Sequence, residues 1–225
     1  EEWYKQLPEI KKKYNLQNDI PSLEDWWKIF NKLIKWESDF EEQKEPSLVQ
    51  ILNDQLHSCN HKFTKFIEQE YSNWLFKEDR PILSNDIFPK VVKPLLKDKE
   101  KVCLVVMDAM RLDQFMSLYP ILTENFKIKI NPSVSLLPSA TPFSRNAIFS
   151  GLFPDQFCKK YPEQLEAMNL DKGSLNHYES LFLKDQLKRN NLSNISYHYH
   201  KIWMVDEGKR FLSKIDKFLN NDLID

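Results

Sequence analysis

The sequence predicts an α/β protein: a helical module first, then a parallel sheet flanked by helices. Three observations carry this. Residues 1 to about 80 place apolar side chains at helical spacing. Val102 to Met107 is a short, nearly continuous apolar run, the pattern of a strand buried on both faces. Beyond it, helix-like and strand-like stretches alternate as far as the end of the chain, as they do where helices cover a parallel sheet.

Taken in order, the chain opens on a charged helical pattern, EEWYKQLPEIKKKY, in which Lys11, Lys12 and Lys13 read as a solvated helix end. Ser22-Leu23-Glu24-Asp25 is a helix start, with Ser22 as cap and acidic residues in the first turn. Trp26, Trp27, Phe30, Leu33, Ile34 and Trp36 follow at helical spacing. Pro46 breaks the pattern and Ser47 caps a third helix, whose apolar residues include Leu48, Ile51, Leu52, Phe63, Phe66, Ile67, Tyr71 and Trp74. An antiparallel hairpin or three-helix bundle is the simple way to bury them.

Asp79 to Asp86 is the boundary, with Arg80-Pro81 ending the helix, so the expected domains are 1–80 and 81–225. Ile87 to Leu96 leads into the α/β region. The strand at Val102–Met107 precedes a helix from about Arg111, and Phe126 to Ile130 reads as a second strand. A helix after Thr141 is stopped by Gly151, with Pro154 just beyond. Tyr178 to Arg189 is an amphipathic helix, Ile195 to Tyr199 a third strand, and Glu207 to Leu219 a last helix. Another strand begins within Asn220–Asp225, and the whole reads as a segment of something longer.

Composition narrows the chemistry. The 225 residues carry a net charge of -1, which argues against a general nucleic-acid or membrane surface. With 29% charged and 13% aromatic residues, the chain can build a core and keep a polar surface. Only 3 glycines are present, and neither GxGxxG nor a Walker motif occurs. Phosphate chemistry here must therefore use a metal, a helix N-terminus or basic side chains. Cys59, Cys103 and Cys158 are odd in number and widely spaced, which predicts free thiols and a reducing, cytoplasmic setting, with Cys103 in the core. No signal peptide or membrane-spanning run is present, so no membrane insertion is expected.

The candidate site lies between Lys101 and Pro154. The apolar run ends in Asp108, a charge that a buried strand carries only when paired or bound to a cation. In open α/β sheets ligands sit beyond the carboxyl ends of the strands, although acidic residues at such ends also cap helices. Thr141 suits an N-cap and Pro142 the first helical position, with Ser139 and Ser144 nearby. A helix start of this kind is a natural phosphate site. Arg145 and Asn146 lie one turn later. Arg145 is placed for phosphate, Asp108 or Asp113, while Arg111 and Asp113 read as salt-bridged scaffolding. His57 and His61 stand at i, i+4 around Cys59, a metal-like spacing, but no further ligand is close in sequence and the plainer reading is a solvated helix face. His198 and His200 alternate on a strand and share a face, within reach of a metal or serving structure alone.

These residues carry a resemblance. Asp108 at the end of the first strand, then TPFSRNAIFSGL from Thr141, resembles the PglZ branch of the alkaline phosphatase superfamily. EDWWKIFNKLIKWE, RPILSNDIFPKVVKPLL and NHYESLFLKDQLKRNNL, in this order, are similar to the output half of PorX-like response regulators of type IX secretion. The resemblance runs through nearly the whole chain. It implies a partial alkaline-phosphatase-like sheet and a zinc-dependent phosphodiesterase, with two ions in the intact domain, acting on nucleotides or oligonucleotides. By the resemblance, Asp108 and Thr141 are metal ligands and Thr141 is the nucleophile, while Asn146, with Arg145, binds the phosphoryl oxygens. The remaining ligands are expected after Asp225, so the 225-residue segment alone is expected to be inactive. Implied partners are an upstream receiver domain, a histidine kinase, secretion regulators and a second copy in a homodimer. Two other classes remain: a catalytically silent signalling platform, and a PglZ component of a phage-defence system. A receiver domain upstream and metal ligands downstream would separate them.

Overall fold

The computed structural model describes residues 21–43, 46–170 and 176–225. The helix read from EEWYKQLPEIKKKY and the lysines at its end lie outside the described residues. The chain forms two compact units, one of residues up to Arg80 together with Met110–Pro132, the other of Pro81–Ala109 and Ser133–Asp225.

The first unit is helical. Helix α1 spans Leu23–Gln43 and α2 spans Pro46–Phe76. The start of α1 is a reciprocal cap. Ser22 Oγ accepts from the Asp25 N–H at 3.2 Å, and Asp25 Oδ2 accepts from the Ser22 N–H at 3.2 Å. These bonds from Ser22 hold the Asp25 carboxyl below the usual range. Trp26, near the start of α1, meets Phe63 late in α2, ring centres 5.3 Å apart and edge-on. The two helices therefore run antiparallel, as expected of an αα-hairpin. Trp26, Ile29, Leu33 and Trp36 line one face of α1 and are buried with Leu52, Phe66 and Trp74. Helix α2 begins at Pro46, one residue ahead of the expected cap Ser47, whose side chain lies outside the described residues. Helix α4, Leu112–Thr123, also belongs to this unit. Arg111 precedes it and forms an ion pair with Asp113, the scaffolding role anticipated for both.

The second unit holds the sheet. Buried Ser84–Asp86 forms a short 3-10 turn, followed by a π-helical turn at Ile87–Val92 and helix α3 at Lys93–Lys97. Strands β1 (Val102–Cys103), β2 (Tyr197–His198) and β3 (Leu223–Ile224) form a parallel sheet in the order β1-β3-β2. Val102 is opposite Leu223 on one side, and Tyr197 is opposite Leu223 on the other. Between them run α5 (Thr141–Ser150), α6 (Pro154–Lys160), α7 (Pro162–Leu170), α8 (Glu179–Arg189) and α9 (Val205–Leu212). Phe88, Phe149, Phe157, Phe182, Leu183 and Leu223 are central to one apolar core. The predicted α/β class, with a helical N-terminal region, is the observed one.

Several local expectations change. Ladder pairing of β1 covers only Val102–Cys103. Cys103, Val105 and Met107 are exposed, while Val102, Leu104 and Val106 pack on the core. The run is thus buried on one face only. A continuous apolar stretch cannot distinguish the two cases, because either face tolerates apolar side chains. Phe126–Ile130 is not a strand and Phe126 is exposed. The last expected helix ends at Leu212 and is followed by a 3-10 turn at Ile215–Lys217.

Gly151 closes α5 in the left-handed region, at φ 63°. A Cβ there would lie 2.0 Å from Gln186 Oε1. Gln186 is held in place, since its Nε2 donates to the carbonyls of Ile148 at 3.0 Å and Phe149 at 2.8 Å. These bonds, with one from Arg189 to the Ser150 carbonyl, satisfy the orphan carbonyls at the end of α5. Gly151→Ala is expected to destabilise the unit by about 1–2 kcal/mol for the backbone, plus about 1–3 kcal/mol for overpacking. Urea unfolding checks this, and an unchanged midpoint would mean that Gln186 yields freely.

Candidate active site

The site forms at the carboxyl end of the sheet, where ligands bind in open α/β folds. Leu104 N–H reaches the Ile224 carbonyl at 2.8 Å, and the chain then leaves the ladder and runs to Asp108. Ala109 follows at φ 57°, a left-handed conformation that costs an L-residue about 1–2 kcal/mol. This strained corner turns the backbone immediately after Asp108.

Thr141 opens α5 as its first helical residue, with Ala140 as the extended N-cap and Pro142 second. The sequence placed Thr141 at the cap, one position early, because Thr-Pro suits both registers. No side chain caps this helix. The Phe143 and Ser144 N–H groups both return to the Ala140 carbonyl at 3.0 Å, and proline has no N–H. The half-buried Thr141 thus sits at the positive end of a ten-residue helix.

Arg145 lies one turn on, on the same helix face as Thr141. Its Nη1 donates to Asp108 Oδ2 at 3.3 Å and its Nη2 to Glu179 Oε2 at 2.7 Å. Glu179, at 0% exposure, also accepts from Tyr199 Oη at 2.9 Å and pairs with Lys201 Nζ at 3.1 Å. Lys201 donates in addition to the Asn176 carbonyl at 2.8 Å. A buried charge is tolerable only when paired, and here one carboxylate gathers two cations and a phenol. Burial, with the charge of Glu179, pushes the Tyr199 phenol well above its usual range.

Asp225 follows β3 on the central strand. Burial, reinforced by Glu179 and opposed by Arg145, raises its carboxyl to about 7. Asp225 Oδ2 and Glu179 Oε1 are buried without a hydrogen-bond partner among the described residues. The sequence reading missed Glu179, Lys201, Tyr199 and Asp225. One signal was available: Glu179 and Gln186 occupy the stripe of Phe182, Leu183 and Leu187 along α8, so both were marked for burial by spacing.

Asn146 is buried. Its Nδ2 donates to the Pro142 carbonyl at 2.7 Å and its Oδ1 accepts from Asn176 Nδ2 at 3.1 Å. Its amide thus anchors the first turn of α5 from within. His198 and His200 do share a face, with ring centres 6.2 Å apart. Both are stacked on phenylalanines, His198 on Phe218 at 3.7 Å and His200 on Phe211 at 4.8 Å. Burial and the neighbouring His200 hold the His198 ring below its ordinary value. His57 and His61 are exposed on α2. Cys103, expected in the core, is exposed. The thiols of Cys59, Cys103 and Cys158 are all free.

A hydrolytic zinc site takes three protein ligands. Among the described residues no group of three or more His, Cys, Asp or Glu side chains could hold a metal ion. Asp108 shares its carboxylate with Arg145 instead. The described residues do not make a complete zinc site.

A parallel sheet between helices, a carboxylate beyond its first strand and a threonine opening α5 are what the resemblance to an alkaline phosphatase-like domain calls for. Residues 87–216 match the family model of the BREX system PglZ alkaline phosphatase-like domain, more than half of the chain, and the chain belongs to that family. Ahead of it, residues 2–75 match the PorX response regulator linker domain. No curated protein matches the chain. Linker and domain together mark a response regulator with a phosphatase-like output domain. Among the described residues no helix is long and apolar enough to cross a membrane.

Proposed function

We propose that this output domain hydrolyses phosphodiesters of nucleotides or oligonucleotides, with Thr141 as nucleophile. The observation that supports this reading is the contact of Arg145 with Asp108, made by a guanidinium one helical turn along α5 from Thr141. The Thr141 oxygen forms a new bond to phosphorus as the P–O bond to the leaving group breaks, the hydroxyl proton passing through solvent to the departing alkoxide; water then attacks the phosphorus, releasing the phosphomonoester and restoring the threonine hydroxyl. Arg145 stands one turn from the hydroxyl, held by two carboxylates, where it can meet the phosphoryl oxygens. Asn146 fixes the turn beneath them.

In this reading the intact protein works with zinc, two ions in all. Asp108 and Thr141 are the ligands the reading assigns among these residues. The match to a response-regulator linker supports control by a receiver domain and its histidine kinase; the same reading takes the protein to be a cytoplasmic homodimer with secretion regulators as its partners. A second reading, a silent signalling platform, draws on the same contact, since Arg145 occupies the carboxylate a metal would use.

The test is zinc content by elemental analysis and turnover of bis-p-nitrophenyl phosphate, on this chain and on one extended past Asp225. The reading expects zinc and turnover in the extended chain and neither in the shorter one. An extended chain that folds but neither holds zinc nor turns over diester would favour the silent platform.

A further inference from the structure

Past β2 the chain enters an exposed apolar run, Ile202-Trp203-Met204-Val205, at the ligand end of the sheet. Trp203 is 63% exposed, a large apolar surface to leave in water. Its backbone is nevertheless pinned. The N–H groups of Trp203 and Met204 donate to Glu207 Oε2 at 2.7 and 3.1 Å, in the box that starts α9. The indole is thus held outward on a fixed backbone.

Its surroundings connect it to the site. Lys201 Nζ lies over the Trp203 ring, 4.6 Å from its centre. The same ammonium is 3.1 Å from Glu179, which receives Arg145 at 2.7 Å. Arg145 in turn shares a helix face with Thr141. Indole, ammonium, carboxylate and guanidinium form one unbroken set of contacts, ending at Arg145, one helical turn from Thr141. The lysine ammonium engages the ring's π electrons, which leaves the remaining surface as a flat platform next to a phosphate-handling site. Such a platform suits a flat ring joined to a phosphate by a sugar.

We propose that Trp203 is the stacking platform for a base of the substrate, so that the site selects nucleotide diesters over base-free ones. This rests on the phosphodiester reading above and goes further, to the group recognised beside the phosphate. Stacking on an aromatic side chain gives about fivefold to a hundredfold in affinity per base and tolerates different bases.

The test uses the intact protein and two probes, thymidylyl-thymidine and the same diester with a tetrahydrofuran abasic residue in place of each nucleoside, by calorimetric titration. The base-bearing probe is expected to bind at least about fivefold tighter. Trp203→Ala should bring the two probes to parity, and Trp203→Phe should keep most of the preference. Equal affinities in the wild type, no binding of thymidylyl-thymidine, or a preference that survives Trp203→Ala overturns the proposal. So does a change in oligomeric state on Trp203→Ala without a change in base preference, which would mark a protein contact. Turnover is scored separately. A Trp203-dependent base preference without hydrolysis removes the hydrolase reading and keeps the platform. Hydrolysis that ignores the base does the reverse.

Discussion

Glu179→Ala is expected to destabilise the α/β unit by about 3–5 kcal/mol, the cost of stripping a buried ion pair of one partner. Glu179 is inaccessible to solvent, and Arg145, Lys201 and Tyr199 all converge on its Oε2. Removing the carboxylate leaves two cations and a phenol in a site shaped for an anion. Lys201 keeps the Asn176 carbonyl and Arg145 keeps Asp108 at 3.3 Å, so some compensation remains. Glu179→Gln preserves shape and one acceptor, and should cost less. Urea midpoints of both variants provide the check. A second consequence separates this carboxylate from an ordinary core residue. Freed from Glu179, Arg145 can turn wholly toward Asp108, so in the intact protein turnover should fall even under conditions where Glu179→Gln is fully folded. An alanine variant as stable as the wild type would mean that Glu179 does not organise the site.

How much of this could be read in the sequence follows from which signals are local. Ser22 as the cap of α1, the left-handed stop at Gly151 and the helix of Glu179–Arg189 were legible, because capping and amphipathic spacing are written within a few residues. Asp108 was legible as a charge ending an apolar run. That Arg145 pairs with it was one of three options left open, and only the fold chooses among them. The partners of Arg145 come from α8 and from beyond β1, and separations of 34 residues to Glu179 and 37 to Asp108 leave no local trace. Phe126–Ile130 misled for the opposite reason. Alternating apolar and basic residues satisfy the strand pattern, but no strand among the described residues pairs with them. The full burial expected of Val102–Met107 failed because period and composition do not say how many layers cover a sheet.

The role of Thr141 is the central claim, and alanine at that position in the intact protein tests it most directly. Thr141 is the first residue of α5 and its side chain makes no capping bond, so the substitution should cost less than the roughly 1 kcal/mol of a lost N-cap. If the hydroxyl attacks phosphorus, losing it should lower diester turnover by a factor on the order of 10^4 or more. Thr141→Ser retains the nucleophile and should retain most of the rate. The measurement is bis-p-nitrophenyl phosphate turnover by the intact Thr141→Ala protein, with its melting curve recorded alongside. The account predicts a wild-type melt with turnover at background. A wild-type melt with wild-type turnover would contradict it.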